Sequence, residues 1–452
     1  MRAGTGPRTS EERQDGRAGR ERFWRRGRAS GAERARIKAG VWYCLEVFLA
    51  VRIGLFVLGL VATALLPPHH AYAATVSPTV PGPVSVPGWP AHEITPGIHN
   101  LFTAWERFDG LWFLRIATKG YVSGDGSAAF FPAYPLAIRA VSWLIGGHPF
   151  AASLIVSNLA FLGALIVLYF LTASELSPSA ARKAVLYISV FPTAFFFFAP
   201  YSESLFLLLA VGGFWSARRG KWPLAAALGA LAAATRSLGI LIAPALAIEA
   251  VHQWREAAPS GPVADGHEPR EGVSPRGRDA SGRVLLARLM WSAAASVGLW
   301  GYLAYWQVAH GDFWAPLTKQ GNWQRVVSFP WTSLKQATRD AFGYLGAYPQ
   351  GYHQLDWLIV VPMLLVAAYA FVRFRPAYGF YTWGSLLVAL SFVFEGRPLM
   401  SAPRLLLPLF PIFWGLALLS ERKRLPHALI VGVSAAGLGL LTLLFVDWFY
   451  IF

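Results

Sequence analysis

Long apolar runs separated by short polar loops constrain this chain more than any other feature of its sequence. Its 452 residues are 55% hydrophobic and only 14% charged, whereas a soluble domain carries about 25% charged residues. A run of about 20 apolar residues is long enough to cross the hydrocarbon core of a bilayer as a helix. The sequence therefore predicts an all-α polytopic membrane protein with about eleven transmembrane helices and two large outer loops.

The basic residues are distributed as in a membrane protein rather than a nucleic-acid-binding protein. The formal net charge is +16 at pH 7, and the arginines cluster in the N-terminal tail and at the edges of the apolar runs. This positive-inside pattern orients spans and attracts anionic lipid. We therefore expect membrane lipids, and no nucleic acid, as partners. The single cysteine, Cys44, excludes an intramolecular disulfide and a cysteine metal site.

Composition divides the chain into four parts. Residues 1–40 are rich in Arg, Gly and Ala and have too little apolar mass to fold, which predicts a disordered cytoplasmic tail. Residues 41–253 and 284–452 are predicted to form two transmembrane modules, each with one large outer loop. A segment rich in Gly, Pro and charge, 254–283, is predicted to link them in the cytoplasm.

The short basic loops between the apolar runs determine the predicted topology. The helix that ends near Gly146 is short, and as a full span it would place Arg182 and Lys183 outside, so we expect it to lie along the membrane or dip into it. This topology brings several charged side chains to the outer face of the membrane: Asp109, Glu203, Arg236, Glu395 and Arg404. Their convergence predicts a single site there.

The polar stretch from Trp105 to Tyr121 carries the residue types that glycosyl transfer requires. An inverting transfer needs a carboxylate that deprotonates the acceptor hydroxyl, and Asp109 is the candidate for this base. A phosphate leaving group needs cations that receive its charge. Arg236 and Arg404 are the candidates for that role.

These residues also have purely structural interpretations. Asp109 would pair with Arg107 or Arg115 in an interfacial helix, and Glu203 would interact with the N-terminus of its helix. Arg236 would extend its guanidinium to lipid headgroups. A further alternative is an aromatic belt at the membrane surface, formed by Trp105, Trp112 and Tyr121.

Four motifs occur in order along residues 41–250: Phe108-Asp109-Gly110 leading to Gly120-Tyr121, then Phe130-Phe131-Pro132-Ala133-Tyr134-Pro135-Leu136, Tyr201-Ser202-Glu203-Ser204-Leu205-Phe206 and Ala234-Thr235-Arg236-Ser237-Leu238-Gly239. This order resembles the PIG-V family of GT-C mannosyltransferases. The resemblance is thinner toward the C-terminus, where Pro403-Arg404-Leu405 is similar to the family's Pro-Arg element. The eukaryotic family member adds the second mannose to the glycosylphosphatidylinositol anchor, and bacteria carry relatives.

The resemblance implies a GT-C fold and an integral membrane glycosyltransferase. Its donor would be polyprenyl-phosphate mannose, its acceptor a glycolipid or other glycan, and its active site extracytoplasmic, with no metal and no other cofactor. Asp109 would be the catalytic acid of the first outer loop. We expect donor or substrate binding from seven further residues: Arg107, Trp112, Tyr121, Tyr201, Glu203, Arg236 and Arg404. The bias toward Ala, Arg and Gly suggests a bacterium of high genomic GC content, and hence the plasma membrane.

Two alternatives remain open at the level of sequence. The first is a GT-C enzyme that uses another polyprenyl-phosphate sugar, because sugar choice depends on hydrogen bonds that the sequence does not place. The second is a flippase or transporter of lipid-linked sugars. A transporter is expected to carry polar groups in both membrane halves, often with internal repeats, whereas here the polar groups lie mostly on one side.

Overall fold

Helices make up most of the chain in a computed structural model, which describes residues 10–66, 100–257, 275–347 and 350–449. The first half contains α1 (Ser10–Leu65), α2 (Asn100–Thr103), α3 (Asp109–Lys119), α4 (Ala133–Leu144), α5 (Pro149–Glu175), α6 (Pro178–Val190), α7 (Glu203–Arg218), α8 (Trp222–Ala233) and α9 (Ile242–Ala257). The second half contains α10 (Pro275–Ala294), α11 (Val297–His310), α12 (Ala315–Thr318), α13 (Pro330–Gly343), α14 (Tyr352–Phe371), α15 (Pro376–Ser391), α16 (Ala402–Leu405), α17 (Phe410–Glu421) and α18 (His427–Val446).

The two strands of the described chain connect the second large loop to the segment after α15. β1 (Arg325–Val327) pairs antiparallel with β2 (Phe392–Phe394), and Val326 lies opposite Val393. One further backbone hydrogen bond extends this contact, from the Glu395 N–H to the carbonyl of Gln324 at 3.1 Å. The pairing holds the start of the segment that leads to α16.

Five helical segments among the described residues are long and apolar enough to cross a membrane, or six if α10 and α11, which meet at a 41° bend, form one span. The five segments are Gly31–Leu65, Pro149–Glu175, Ser237–Ala257, Tyr352–Phe371 and His427–Val446. The predicted helical membrane fold is therefore confirmed, but the predicted count of about eleven spans is not. The other apolar helices, α6, α7, α8, α15 and α17, have 12 to 16 residues. They extend about 18–24 Å, which is shorter than a hydrocarbon core of about 30 Å.

The apolar run at residues 184–199 does not form one continuous helix in the structure. α6 ends at Val190 because Phe191 precedes Pro192, and a residue before proline is pushed out of the helical region; here Phe191 has ψ 145°. The next residues are buried and form turns and a short 3₁₀ helix, Ala194–Phe197, so the backbone groups left free by the break need polar partners inside the protein. The carbonyl of Phe197 accepts hydrogen bonds from Arg52 Nη2 at 3.0 Å and from Ser204 Oγ at 3.1 Å.

Two predicted polar segments are only partly described. α1 begins at Ser10, so residues 10–40 of the predicted disordered tail are helical, which suits their Arg, Glu and Ala content. Residues 1–9 lie outside the described residues. In the predicted linker, α9 continues to Ala257 and α10 begins at Pro275, and residues 258–274 also lie outside the described residues.

The short helix α4 packs against neighbouring helices, and its predicted place along the membrane surface stays a prediction. It contains 12 residues, packs on α3 and α5, and exposes three large apolar side chains, those of Leu136, Trp143 and Leu144. The Tyr134 hydroxyl fixes α4 to α5 through Ser157 Oγ at 2.7 Å. The Ala133 N–H donates to the carbonyl of Ala234 at 2.9 Å, which connects α4 to the break between α8 and α9.

Gly298 allows α11 to approach α8 closely. A Cβ atom at this position would lie 1.8 Å from the carbonyl oxygen of Ala230, so the two helices would have to separate. We expect Gly298→Ala to lower the thermal unfolding temperature of the purified protein, because overpacking costs about 1–3 kcal/mol. Gly301→Ala is the matched control, since no atom lies within 4 Å of a Cβ there. Equal unfolding temperatures for both variants would contradict this packing.

Candidate active site

Asp109 is the first residue of α3 and the most accessible carboxylate of the site. Phe108 before it has φ 48°, which is unusual for a residue with a side chain, and this sharp turn starts the helix at Asp109. Gly110 lets the helix start against the segment before α7, because a Cβ there would lie 3.0 Å from Pro200 Cγ. The Asp109 side chain is 22% exposed, and its Oδ2 accepts a hydrogen bond from Arg404 Nη1.

Glu203 is the first residue of α7, and its side chain is fully buried. Its Oε1 atom accepts hydrogen bonds from Arg236 Nη1 and from Arg404 Nε. A buried carboxylate is costly unless cations compensate it, and these two guanidinium groups provide that compensation. Its Oε2 atom is buried and has no hydrogen-bond partner among the described residues.

Arg236 lies at the break between α8 and α9, where extended backbone, φ −153° and ψ 149°, interrupts the two apolar helices. Gly239 permits the tight turn that follows, because a Cβ there would lie 2.4 Å from the backbone of Ala232. Besides Glu203, Arg236 donates from Nη1 to Ser202 Oγ at 3.3 Å. Its side chain is 14% exposed, so it is held inside the protein.

Arg404 joins the two carboxylates of the site. It lies on the short helix α16, between α15 and α17, and its guanidinium uses Nη1 for Asp109 and Nε for Glu203. The guanidinium carbon also lies 4.6 Å from the ring centroid of Tyr201 and 5.0 Å from that of Phe196. Arg404 therefore connects α3, α7 and the C-terminal half of the chain.

Together, Asp109, Arg404, Glu203 and Arg236 form one continuous chain of charge-assisted hydrogen bonds, which we call the ionic cluster. It contains two carboxylates and two guanidinium groups, so its formal charges cancel. Only Asp109 has a carboxylate that is substantially accessible. The cluster thus combines an accessible base with fixed cations, as general-base catalysis next to an anionic leaving group requires.

Residues 44–258 match the model of the mannosyltransferase (PIG-V) family. The chain is also 30% identical over 200 residues to GPI alpha-1,6-mannosyltransferase 2 of Mus musculus, which is 42% of this chain and 38% of the mouse protein. For the Rattus norvegicus protein of the same name, the identity is 30% over 207 residues, 44% of this chain and 40% of the relative. Residues 44–258, which we call the PIG-V domain, are therefore similar to this family, and the match covers slightly less than half of the chain.

The PIG-V domain contributes three of the four members of the ionic cluster, and Arg404 comes from outside the matched residues. The chain spans less than half the length of either of these curated relatives. The helical membrane architecture agrees with the GT-C fold that the resemblance implies.

Two solved structures are similar over most of the chain, but with low TM-scores. ArnT from Cupriavidus metallidurans bound to undecaprenyl phosphate has a TM-score of 0.45 at 13% identity, covering 90% of this chain and 76% of ArnT. The Archaeoglobus fulgidus oligosaccharyltransferase in complex with Zn and sulfate has a TM-score of 0.38 at 12% identity, covering 88% and 53%. Because these TM-scores are below 0.5, the similarity to the PIG-V family rests on the sequence match of residues 44–258.

The structure places Asp109, Glu203, Arg236 and Arg404 in contact, as the topology predicts, whereas Glu395 is exposed and lies outside the ionic cluster. Asp109 pairs with Arg404 rather than with its sequence neighbours. Arg115 pairs with Asp125 at 2.5 Å. The structural interpretation of Asp109 as one half of a local ion pair is therefore wrong for this PIG-V domain.

The other predicted binding residues lie in the packed wall around the ionic cluster. Arg107 is 5% exposed and donates from Nε to the carbonyl of Val446 at 2.9 Å, and burial lowers the pKa of its guanidinium to about 9. The Tyr201 hydroxyl donates to the carbonyl of Arg107 at 3.0 Å. Trp112 is fully buried, and the Tyr121 hydroxyl donates to the carbonyl of Phe130 at 2.8 Å. Direct contact of these four residues with substrate remains a prediction.

The alternative of an aromatic belt is wrong for its two tryptophans. Trp105 and Trp112 are 1% and 0% exposed, so they belong to the core of the PIG-V domain rather than to its membrane surface. Two further residues contact the ionic cluster but were not predicted from the sequence: Ser202 contacts Arg236, and Phe196 contacts Arg404. Ser202 could have been recognised from its position next to Glu203. Nothing in the sequence distinguishes Phe196 from the neighbouring phenylalanines.

The ionic cluster predicts a large stability effect at Glu203. Glu203→Ala would leave two guanidinium groups facing each other in the interior, and breaking a buried ion pair in this way costs about 3–5 kcal/mol. We expect a clear decrease in the thermal unfolding temperature of the purified protein in detergent. The exposed Glu395 provides the control, because surface substitutions usually change stability by about 0.5 kcal/mol or less. An unfolding temperature for Glu203→Ala equal to that of Glu395→Ala would contradict the cluster.

Proposed function

We propose that the protein is an integral membrane mannosyltransferase. It takes mannose from polyprenyl-phosphate mannose and transfers it, with inversion at the anomeric carbon, to a glycolipid or other glycan acceptor. The observation that carries this proposal is the accessible carboxylate of Asp109, held by Arg404 within a PIG-V domain. Asp109 acts as the general base.

The transfer is a single displacement in this proposal. Asp109 removes the proton from an acceptor hydroxyl as its oxygen attacks the anomeric carbon of the donor. The bond between that carbon and the phosphate oxygen breaks, and its electron pair stays on the polyprenyl phosphate. Attack opposite to the leaving group inverts the configuration, so one carboxylate is sufficient as the base.

The leaving phosphate gains charge, and the two arginines of the ionic cluster are placed to stabilise it. A guanidinium has five N–H donors. In the described residues, the hydrogen bonds of Arg404 use its Nε and Nη1 atoms, and those of Arg236 use Nη1. The remaining N–H groups are available to phosphate oxygens, and fixed cations favour a developing anion without reorganisation.

The proposed active site faces the outside of the plasma membrane. The short basic loops orient the helices so that the starts of α3 and α7 and the break at Arg236 lie on the outer side. A donor with a polyprenyl chain reaches this site from the lipid phase, because the protein surface in the membrane is apolar. The membrane lipids are therefore both the environment and the route of the substrate.

A reconstituted assay separates transfer from transport. Purified protein in liposomes receives polyprenyl-phosphate mannose labelled in the sugar, together with a mixed glycolipid acceptor fraction. We expect labelled product whose anomeric configuration is opposite to that of the donor. Movement of intact labelled donor between leaflets without product would support a flippase instead. Product from polyprenyl-phosphate glucose or arabinose, with none from the mannose lipid, would show that the protein uses another sugar.

A further inference from the structure

A second buried ion pair lies outside the ionic cluster. Arg397 and Asp356 form two parallel hydrogen bonds, from Nε to Oδ2 at 2.7 Å and from Nη2 to Oδ1 at 2.9 Å. Their side chains are 3% and 1% exposed. The guanidinium carbon of Arg397 also lies 4.4 Å from the ring centroid of Tyr352. Both residues lie outside the matched PIG-V region, and the proposed chemistry does not use them.

A buried ion pair is weak evidence for stability, because the cost of removing both charges from water offsets much of their attraction. Its two-pronged geometry is specific, however, since a guanidinium and a carboxylate fit each other in one plane. Asp356 is on α14, about one turn after its start at Tyr352. The pair therefore anchors the segment after β2 to a long membrane helix in a defined orientation.

The chain between Arg397 and Arg404 is folded into consecutive tight turns. Backbone hydrogen bonds of 2.9–3.0 Å connect successive residues of this segment: Met400 N–H to the Arg397 carbonyl, Ala402 N–H to the Leu399 carbonyl, and Leu405 N–H to the Ser401 carbonyl. Ser401 has φ 67°, a conformation that a residue with a side chain adopts only where its surroundings require it. These hydrogen bonds and the backbone conformation of Ser401 leave the segment little freedom.

Two weaker contacts hold the same segment further along. Arg325 on β1 donates from Nη2 to Ser401 Oγ at 3.2 Å, and the Thr193 hydroxyl donates to the carbonyl of Pro403 at 3.1 Å. Both are single hydrogen bonds, whereas the contact of Arg397 with Asp356 has two, both charge-assisted. The ion pair is thus the strongest of these three contacts.

We propose that Asp356 and Arg397 are a positioning pair, which sets the segment from 397 to 404 so that the guanidinium of Arg404 bridges Asp109 and Glu203. Neither residue touches the substrate. The effect on transfer rests on the proposed function, whereas the effect on Arg404 does not. Misplacing a catalytic group by about 1 Å reduces rates by up to about a hundredfold, so a small shift of this segment is sufficient.

The first test uses coupling of stabilities and needs no activity. Thermal unfolding is measured for Asp356→Asn, Arg404→Lys and the double variant. Sites that share no contact usually contribute additively, and Asp356 makes no direct contact with Arg404. We expect the double variant to lose clearly less stability than the sum of the single losses, because Asp356→Asn already releases Arg404. Additive losses would overturn the proposal.

The control for this test is Glu249→Gln. Glu249 is a similarly buried carboxylate that pairs with Arg218 at 3.0 Å, at the opposite end of α7 from Glu203. Combined with Arg404→Lys, it should give additive losses. Coupling of the same size in this pair would show a general loss of cooperativity and would also overturn the proposal.

The second test separates positioning from stability. The double substitution Asp356→Leu with Arg397→Met replaces the ion pair with apolar groups, which is often neutral or stabilising for a buried pair. We expect the unfolding temperature to stay near that of the wild type while kcat decreases about tenfold to a hundredfold. Wild-type kcat in this folded variant would overturn the positioning role. If the wild type itself transfers no sugar, the proposed function fails, and the stability coupling alone decides the positioning role.

Discussion

Replacing Asp109 with asparagine should lower kcat for sugar transfer by about 10²- to 10⁴-fold, the usual contribution of a positioned general base. An amide has nearly the same shape as the carboxylate, and its oxygen still accepts a hydrogen bond from Arg404, but it does not take up the acceptor proton. The site otherwise stays intact, so the unfolding temperature should change little. The measurement is the initial rate of transfer by purified protein at saturating donor.

Asp125→Asn is the matched control for this variant. It makes the same substitution in the same predicted outer loop, in a carboxylate that pairs with Arg115 rather than with the ionic cluster. We expect it to retain transfer per folded protein. Asp109→Asn with wild-type kcat would remove Asp109 from the mechanism, and equal losses in both variants would show that any damage to this loop abolishes activity.

Arg404→Lys should lower kcat/KM by at least about a hundredfold, the scale observed when a preorganised donor is removed from a catalytic site. Lysine keeps the positive charge, but its single ammonium group cannot reproduce the planar fork that reaches Asp109 and Glu203 from two nitrogens. It also has fewer N–H groups for the donor phosphate. We therefore expect an increase in KM for the lipid-linked donor as well as a decrease in kcat.

The exposed Arg139 on α4 supplies the control for this exchange, since Arg139→Lys changes the same group at the protein surface. It should leave both kinetic constants unchanged. Wild-type kcat/KM for Arg404→Lys would mean that charge alone is sufficient at this position, and the bridging geometry of the ionic cluster would then have no catalytic role.

Much of the ionic cluster was predictable because charge and hydrophobicity alone orient membrane helices. The Thr235-Arg236-Ser237 interruption predicts a helix break with Arg236 at the outer side, and the structure has that break between α8 and α9. The same orientation rule places Glu203 and Arg404 near the outer face of the membrane. The predicted convergence then becomes direct contact in the structure.

The partner of Asp109, the exposure of Glu395 and the ends of the helices were not predictable in the same way. They depend on contacts between residues far apart in the sequence, which local sequence patterns do not show. Asp109 is 295 residues from its partner Arg404, so the nearer Arg107 and Arg115 were equally reasonable partners. Glu395 has the same local character as the cluster residues but stays exposed. The predicted number of spans is not confirmed, because a hydrophobic run does not show where each helix ends, as at Phe191 before Pro192.

The positioning pair of Asp356 and Arg397 was also not predictable from the sequence. Asp356 is a single acid at the edge of an apolar run, and Arg397 is one of several charges in a polar segment. Only their mutual burial and paired hydrogen bonds distinguish them from solvated surface residues. Such pairs are recognised from packing, because the sequence separation of 41 residues carries no periodic signal.

Transfer from polyprenyl-phosphate mannose is the measurement that tests the central claim most directly. Membranes that contain the wild-type protein, and otherwise identical membranes that lack it, receive the donor radiolabelled in its mannose. We expect labelled glycolipid or glycan only where the protein is present, together with release of unlabelled polyprenyl phosphate. No difference in label between the two membranes, with acceptor lipids supplied in excess, would contradict the assignment as a mannosyltransferase.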